Sequence, residues 1–350
     1  MSDLTDLEQA AARLALDAFG VPADAELIFV KQRENHVYRV RGDGFDRSLR
    51  MHRVGYRTDD ELASETASIE AFRLGGIAVP TPVPLPTGGF VAVITDARGV
   101  RRQATMQNWI DGGREFADSG AVFQGLARPD AAQLRALGTL IARMHDIAEK
   151  GAPAGYRRAA WNTAGLVGEK ALWGRPARLR SLSAPERDLL DLAESRLAEE
   201  LGRLDVGTGR YGVIHADFTF ENILVAPDGL VALDFDDSGE GWFLFDLATS
   251  AFWCAEHPDA ESLIAALLDG YREVRTLDEA DERAWHALLL ARALSYLGWA
   301  ADRPGDAASD FHEDVIGPRV VAAARQYLDD GSTGWPSLSA THLSSPEDAR

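Results

Sequence analysis

Residues 211–237 of the chain read YGVIHADFTFENILVAPDGLVALDFDD, a β-rich island between stretches of helical periodicity. Inside it, two short apolar runs flank the turn-forming residues 226–229 (APDG), which predicts a tight β-hairpin. Antiparallel pairing of these runs brings Asn222 and Asp234 to the same open end of the hairpin, and Asp217 lies on the loop that enters it. The island therefore predicts a cluster of oxygen-bearing side chains at one end of a β-ribbon.

These side chains have a chemistry in common with magnesium sites. Mg²⁺ prefers oxygen ligands and takes part of its shell from water and nucleotide phosphates. Phosphoryl transfer requires a protein mainly to position groups and to offset phosphate charge. Each side chain alone is more often a turn cap or an ordinary strand-end acid. The combination H-x-D-x-x-x-x-N, a hairpin and a hydrophobic-Asp pair favours a phosphoryl-transfer site that uses Mg²⁺.

Outward from the island, the N-terminal part of the chain is rich in strands. The segments ELIFVKQ, HVYRVRG, SLRMHRV, GGFVAVIT and RRQATMQNWI carry the β-branched and aromatic residues typical of strands. Residues 59–74 have helical spacing and end at two glycines, which predicts one helix among these strands.

The C-terminal part has helical character instead. Apolar residues recur at helical spacing near residues 130–149, 184–204, 258–274, 279–301 and 311–328. The order of elements predicts an α+β fold with a small antiparallel-sheet lobe and a larger, mainly helical lobe. The predicted bounds are residues 1–106 for the first lobe, 107–112 for a hinge, 113–330 for the second lobe and 331–350 for a mobile tail.

Composition narrows the class of protein. The net charge is −19, and an acidic surface of this kind disfavours nucleic-acid and anionic-membrane partners. The single cysteine, Cys254, excludes an internal disulfide. The N-terminus reads as an amphipathic helix and not as a signal peptide, and no apolar run is long enough to span a membrane. We therefore expect a cytoplasmic protein.

Residues 215–222 (HADFTFEN) resemble the catalytic loop of the aminoglycoside phosphotransferase and choline kinase-like superfamily, whose fold is related to that of protein kinases. Residues 233–237 (LDFDD) resemble its metal-binding segment. The motif DFDD at residues 234–237, followed by FDLA at residues 245–248, most resembles the homoserine kinase type II and stress-response kinase-like branch. The resemblance extends over roughly residues 25–300 and implies a two-lobed protein-kinase-like fold.

The resemblance implies a role for each matching residue. Asp217 is implied as the catalytic base that orients the acceptor hydroxyl, and Asn222 and Asp234 are implied as the ligands of Mg²⁺.

Three further residues are implied in support. His215 is expected to brace the loop, and Asp246 is expected to accept hydrogen bonds from the loop backbone. Asp236 is either a ligand of a second metal ion or a solvated acid at the end of a strand.

The resemblance also implies a nucleotide site in the N-terminal lobe. Arg50 occupies the strand position where many relatives have a lysine that binds phosphate, and Glu65 is its implied helix partner. The alternative is that both are ordinary surface charges. Lys31 is a rival cation, but it lies on a different strand.

Two further segments complete the implied nucleotide site. The turn at residues 32–40 resembles an E-N-x-x-Y-x-V motif, in which Asn35 and His36 offer side-chain contacts, although an ordinary β-turn fits equally well. Gln107 and Trp109 lie in the segment that resembles the linker pairing its backbone with adenine.

The leading hypothesis is an ATP-dependent kinase with a small hydroxyl-bearing acceptor, such as homoserine, an aminoglycoside, choline or a related metabolite. A protein Ser/Thr kinase is an alternative, but only a dozen residues separate Asp234 from Asp246, which leaves little room to dock a peptide. A nucleotide-binding pseudokinase is another alternative, and the presence of Asp217, Asn222 and Asp234 disfavours it. The acidic composition disfavours a nucleic-acid-binding protein.

Overall fold

The computed structural model describes residues 2–32, 35–207 and 209–339. The chain divides into two compact units. The first unit comprises Met1–Gly113, Pro153–Arg158 and Val231–Asp236, and the second unit comprises Arg114–Ala152, Ala159–Leu230 and Asp237–Arg350.

Among its described residues, the first unit has one five-stranded sheet and two helices. The strands are β1 (Glu26–Gln32), β2 (His36–Gly42), β3 (Phe45–Met51), β4 (Val91–Thr95) and β5 (Arg101–Asn108), and the helices are α1 (Ser2–Ala18) and α2 (Asp59–Leu74). The strands form one antiparallel sheet in the order β1-β2-β3-β5-β4. Helix α2 begins with a capping box between Thr58 and Glu61.

The two faces of this sheet differ in chemistry because side chains alternate along each strand. One face is apolar and packs in a core with α1, with Tyr38, Leu49 and Met51 among its buried members. The residue between the last two, Arg50, belongs to the opposite face, where Val37 and Thr105 are its cross-strand partners. The alternation therefore directs one charged residue of β3 away from the core shared with α1.

The second unit is mainly helical. Its helices are α3 (Ser119–Phe123), α4 (Ala131–Ala148), α5 (Thr163–Leu166), α6 (Ala184–Leu201), α7 (Phe243–Cys254), α8 (Ala260–Arg272), α9 (Glu279–Ala301), α10 (Ala307–Phe311) and α11 (Gly317–Asp330). A π-helical segment, His312–Ile316, joins α10 to α11. In the described part of the chain, no helix combines the length and the apolar composition needed to cross a membrane.

Short strands frame the island at residues 211–237. They are β6 (Arg114–Glu115), β7 (Tyr211–Ile214), β8 (Ile223–Ala226), β9 (Gly229–Ala232) and β10 (Gly239–Trp242). Strand β7 pairs antiparallel with β10, and β6, β8 and β9 form a three-stranded sheet in that order. The predicted hairpin is present as β8 and β9, which are neighbours in this sheet.

Part of the segment expected to be mobile is packed in the second unit. Trp335 and Leu338 are buried, and the Trp335 indole Nε1 donates to Glu256 at 2.7 Å. The Trp285 indole Nε1 donates to the carbonyl of Pro336 at 2.8 Å. Residues 340–350 of the expected tail lie outside the described residues.

Candidate active site

The loop at residues 215–222 is held by hydrogen bonds to a buried carboxylate, that of Asp246. Strand β7 ends at Ile214, and the backbone N–H groups of His215 and Ala216 then donate to Asp246 at 3.0 and 2.7 Å. Asp246 lies on α7 and is completely buried. Ala216 has φ of 65°, a left-handed conformation that costs energy for a residue with a Cβ. The two hydrogen bonds to Asp246 hold this strained backbone in place.

A buried histidine completes the anchor. His145 Nε2 lies 3.2 Å from Asp246 Oδ2, and His145 Nδ1 lies 3.0 Å from the hydroxyl of Tyr271. Burial lowers the pKa of the His145 imidazole, and the hydrogen bond to Asp246 only partly opposes this. Because a carboxylate only accepts, the neutral ring donates through Nε2 and accepts from Tyr271 through Nδ1. His145 is thus a structural partner of the anchor.

Asp217 and Asn222 meet at the open side of the loop. The Asn222 Nδ2 group donates to the Asp217 carbonyl at 2.9 Å and to Asp217 Oδ2 at 2.9 Å. The Asp217 N–H donates to Nδ1 of His215 at 3.3 Å, and the His215 ring stacks on Phe218 with 4.2 Å between centroids. The structure therefore brings Asp217, Asn222 and His215 together in one loop.

Two contacts to this loop were not predicted from the sequence. Arg292 on α9 donates through Nη1 to the Ala216 carbonyl at 2.9 Å and through Nη2 to Asp217 Oδ1 at 3.1 Å. Ser119, at the start of α3, contacts Glu221 through its N–H at 2.6 Å and its hydroxyl at 2.7 Å. A sequence signal existed for Arg292 alone, since it is a single basic residue inside the apolar run ALLLARALSYL.

In the first unit, Arg50 lies between two acids. Arg50 Nη2 donates to Asp234 Oδ1 at 2.9 Å, and Nη1 lies 3.5 Å from Glu65 Oε1. Burial alone would lower the pKa of the Arg50 guanidinium, but Asp234, Glu65 and Asp236 outweigh this and raise it. Asp234 has φ of 60°, so it shares with Ala216 the left-handed backbone. Arg50 is therefore a cation of this cluster, and Lys31 lies on β1.

Glu65 is the buried member of the pair. Only 4% of its surface is exposed, and burial raises the pKa of its carboxyl. Arg50 opposes that rise, and so does Arg158, whose Nη1 lies 3.7 Å from Glu65 Oε2. The structure thus places Glu65 of α2 beside Arg50 of β3.

The segment that carries Asp234 is held by two arginines. Arg57 Nη2 donates to the Asp236 carbonyl at 2.7 Å, and Arg158 Nη2 donates to the same carbonyl. The Asp236 side chain is buried and lies 3.7 Å from Arg57 Nε. Asp236 is therefore not the solvated strand-end acid considered from the sequence.

His52, two residues beyond Arg50, adds no positive charge to this cluster. Burial, followed by the nearby charges of Arg50 and Arg158, lowers the pKa of His52 to about 3. Its Nε2 lies 2.9 Å from the hydroxyl of Thr105. The ring is neutral at physiological pH, and the positive charges beside Glu65, Asp234 and Asp236 are those of arginines.

Asn35 and His36, predicted from the turn at residues 32–40 to contact the nucleotide, both lie near other groups of the protein. His36 is the cross-strand partner of Met51, so it lies on the face packed with α1 and not on the face of Arg50. Its Nδ1 is 3.8 Å from Glu8. The Asn35 side chain accepts from the backbone N–H of Arg53 at 3.1 Å. The remaining motif residues, Arg33 and Glu34, lie outside the described residues.

In the predicted adenine linker, one backbone N–H group already donates a hydrogen bond within the protein. Gln107 pairs with Ser48 of β3, on the same face as Arg50. The N–H of Trp109 donates to the carbonyl of Asp46 at 3.0 Å, and its ring lies 4.5 Å from the guanidinium of Arg39. An adenine base would therefore have to pair with a backbone group other than the Trp109 amide.

Residues 27–288 match the phosphotransferase enzyme family, APH. The chain belongs to this family. The match includes Arg50, Asp217, Asn222 and Asp234, so the APH domain spans parts of both units. The predicted family, the antiparallel-sheet and helical fold class, and the phosphotransferase enzyme class are confirmed.

Several relatives of this APH-family chain are kinases. Amicoumacin kinase of Bacillus subtilis is 24% identical over 285 residues, 78% of this chain and 77% of that protein. Homoserine kinase of Allorhizobium ampelinum is 27% identical over 227 residues, 63% of this chain and 63% of that protein. The chain thus covers somewhat less than two thirds of the homoserine kinase.

Among solved structures, a microcompartment-associated aminopropanol kinase matches with a TM-score of 0.78 and 28% identity. The match covers 92% of this chain and 98% of that kinase. The fold similarity therefore extends over nearly the whole of both chains.

The donor groups of this APH-family chain fit a magnesium ion. Among the described residues, no group of three or more His, Cys, Asp and Glu side chains forms a metal cage. Mg²⁺ usually binds one or two protein ligands and completes its shell with water and phosphate. Asp234 offers a carboxylate, and the hydrogen bonds of Asn222 to Asp217 use its amide nitrogen, whereas metals bind the amide oxygen. The chemistry of both residues suits the ion.

Proposed function

We propose that this protein transfers the γ-phosphoryl group of ATP to a hydroxyl group of a small amino alcohol. The observation that carries the proposal is the Asp217–Asn222 pair, joined at 2.9 Å on a loop whose strained backbone is anchored to buried Asp246. Phosphoryl transfer depends on positioning, and this loop holds an acid in one orientation.

Asp217 is the proposed base. Its carboxylate accepts a hydrogen bond from the acceptor hydroxyl and directs the oxygen toward the phosphorus. In a loose transition state the proton leaves late, so alignment of the hydroxyl matters more than the basicity of the acid. The proton passes from the hydroxyl oxygen to a carboxylate oxygen of Asp217 as the new O–P bond forms and the bond to the leaving ADP breaks.

The residues of the first unit are proposed to bind the nucleotide. Arg50 lies on the sheet face that also carries Gln107, and its guanidinium matches the geometry of phosphate oxygens. Glu65 would keep Arg50 extended when phosphate replaces Asp234 as its partner.

Asn222 and Asp234 would hold Mg²⁺ when the nucleotide is bound. The ion would offset the negative charge of the phosphates. The Asp234 carboxylate, which contacts Arg50 at 2.9 Å, would then contribute its oxygen to the ion.

The names of the relatives support the choice of acceptor class. Aminopropanol and homoserine each carry an amine and a hydroxyl group, and kinases for both are similar to this chain. Amicoumacin kinase supports a small-molecule acceptor more generally. We also infer a cytoplasmic location from the single cysteine and from the supply of ATP that the reaction needs.

A phosphate-transfer screen tests the proposal. Purified protein is incubated with Mg·ATP and a panel of aminopropanol, homoserine, choline, aminoglycosides, sugars and a generic protein substrate. We expect ADP release and a phosphorylated product with one of the amino alcohols, and no product with the Asp234→Ala variant. Transfer to the protein substrate alone, or equal signal in Asp234→Ala, would contradict the proposal.

A further inference from the structure

Arg292 lies in the middle of α9 and is completely buried. Its neighbours on the helix are nearly all apolar, and a charge in such surroundings is costly unless it is paired. Its Nε atom is buried without a hydrogen-bond partner. A nonpolar residue of similar volume commonly gives equal or greater stability at such a site. Fold stability is therefore a weak explanation for this arginine.

Its hydrogen bonds go to successive residues of the loop at residues 215–222. One bond reaches the carbonyl of Ala216, the residue with positive φ, at 2.9 Å. The other reaches Asp217 Oδ1 at 3.1 Å. Asn222 binds the second carboxylate oxygen, Oδ2, at 2.9 Å. The plane of the Asp217 carboxylate is thus held from two sides.

Aromatic rings enclose the guanidinium. Its central carbon lies 4.0 Å from the ring centroid of Tyr296, 4.2 Å from that of Trp173 and 5.5 Å from that of Phe245. Rings at these distances attract a cation and exclude water from around it. In such surroundings the attraction between Arg292 and Asp217 is screened much less than on the surface.

A glycine on α9 lets the segment that carries Trp173 pack closely against this helix, beside the guanidinium of Arg292. Gly298 is two residues beyond Tyr296 on α9, and a Cβ at this position would lie 2.7 Å from the Trp173 carbonyl and 2.5 Å from the Gly174 carbonyl. Only glycine permits this close approach of the Trp173 segment to the helix.

We propose that Arg292 is a positioning residue for phosphoryl transfer: it orients the Asp217 carboxylate toward the acceptor hydroxyl from a water-free aromatic cage. This inference rests on the proposed function of Asp217. It predicts that loss of Arg292 lowers turnover while nucleotide binding persists.

The test compares Arg292→Met, Arg292→Lys and Arg292→Ala with the wild-type enzyme on an acceptor found in the screen. For Arg292→Met we expect kcat to fall about 100-fold, the cost of misplacing a catalytic group by about 1 Å, with KM for ATP changed less than about two-fold. For Arg292→Lys we expect kcat to fall about 10-fold while the melting temperature stays unchanged. Lysine keeps the positive charge but cannot donate the two hydrogen bonds of a planar guanidinium.

Chemical rescue of kcat distinguishes a positioning role of Arg292 from a purely structural one. Guanidinium ion added to Arg292→Ala is expected to restore kcat several-fold by entering the aromatic cage, whereas urea, which has no charge, is not. Arg283→Met is the matched control, because it makes the same change at an exposed position of the same helix, α9. Its kcat should stay within about two-fold of the wild type.

Three outcomes would overturn the inference: unchanged kcat in both Arg292→Met and Arg292→Lys, a parallel loss of kcat and ATP affinity, or equal rescue by urea. If Arg292→Met and Arg292→Ala do not fold, the Arg292→Lys result decides. Absence of transfer by the wild-type enzyme to every acceptor would instead contradict the proposed function.

Discussion

The second unit holds its candidate base through backbone hydrogen bonds to a buried acid, whereas the first unit holds its candidate phosphate-binding arginine through side-chain ion pairs. Asp246 is completely buried and accepts from two successive loop amides. Arg50 is part-exposed and contacts Asp234 at 2.9 Å and Glu65 at 3.5 Å.

This difference suits two roles, alignment of a base in the second unit and binding of phosphate in the first. A backbone conformation fixed by a buried acid cannot adjust without losing several hydrogen bonds, which suits a base that must be aligned. Ion pairs between side chains can exchange partners when a phosphate arrives, which suits a binding site. Changes in the second unit should therefore act on kcat, and changes to Arg50 should act on KM for ATP.

The largest expected effect is that of Asp217→Asn. The amide keeps the size of the side chain but cannot take the hydroxyl proton, so we expect kcat to fall by about 1,000-fold or more with ATP affinity nearly unchanged. Steady-state kinetics and ATP titration calorimetry measure the two quantities. Asp228→Asn, the same change in the exposed hairpin turn, is the matched control. Near-normal turnover of Asp217→Asn would remove this residue from the mechanism.

The next largest effect should come from Asp246→Asn. This change removes the charge that accepts from His215, Ala216 and His145, so we expect a loss of about 2–3 kcal/mol in unfolding free energy and about 100-fold in kcat. Denaturant unfolding and kinetics measure these losses. Leu338→Ala, a buried change near the C-terminus, controls for destabilisation alone and should leave kcat unaltered. An equal fall of kcat in the control would show that the anchor has no specific role.

A smaller effect is expected in the first unit. Arg50→Met should raise KM for ATP about 10-fold while kcat at saturating ATP falls only a few-fold, since one charged contact to phosphate is lost. Arg50→Lys should retain most of the affinity, because the charge remains. Lys31→Met, on exposed β1, serves as the control. A larger change in KM from Lys31→Met than from Arg50→Met would reverse our assignment of the cation.

The smallest effect should be that of His36→Ala. His36 lies on the sheet face packed with α1, near Glu8, so we expect KM for ATP to change less than about two-fold. The same assay applied to Arg50→Met provides the comparison. A 10-fold rise in KM for His36→Ala would mean that both sheet faces reach the nucleotide.

Local pattern accounts for the features of the site that were predicted from the sequence. The turn residues 226–229 and the flanking apolar runs predicted the hairpin, because turn chemistry and strand alternation act between near neighbours. The spacing within HADFTFEN placed Asp217 and Asn222 on one loop, and the structure joins them directly. Alternation along β3 likewise directed Arg50 away from Leu49 and Met51.

Errors and omissions arose where only packing decides. The sequence did not reveal that His36 shares a face with Met51, or that Trp109 donates its amide to Asp46. The segment that contains Trp335 looked polar and mobile, yet the indole is buried against the second unit's helices.

The sequence by itself determined the family, the order of strands and helices, and the identity of Asp217, Asn222 and Asp234 as candidates, because these depend on short motifs and local periodicity. Only the tertiary structure decided what surrounds them. Arg292 is 75 residues from Asp217, and Arg50 is 184 residues from Asp234. Contacts over such separations depend on how helices and strands pack together, and no local pattern records that packing.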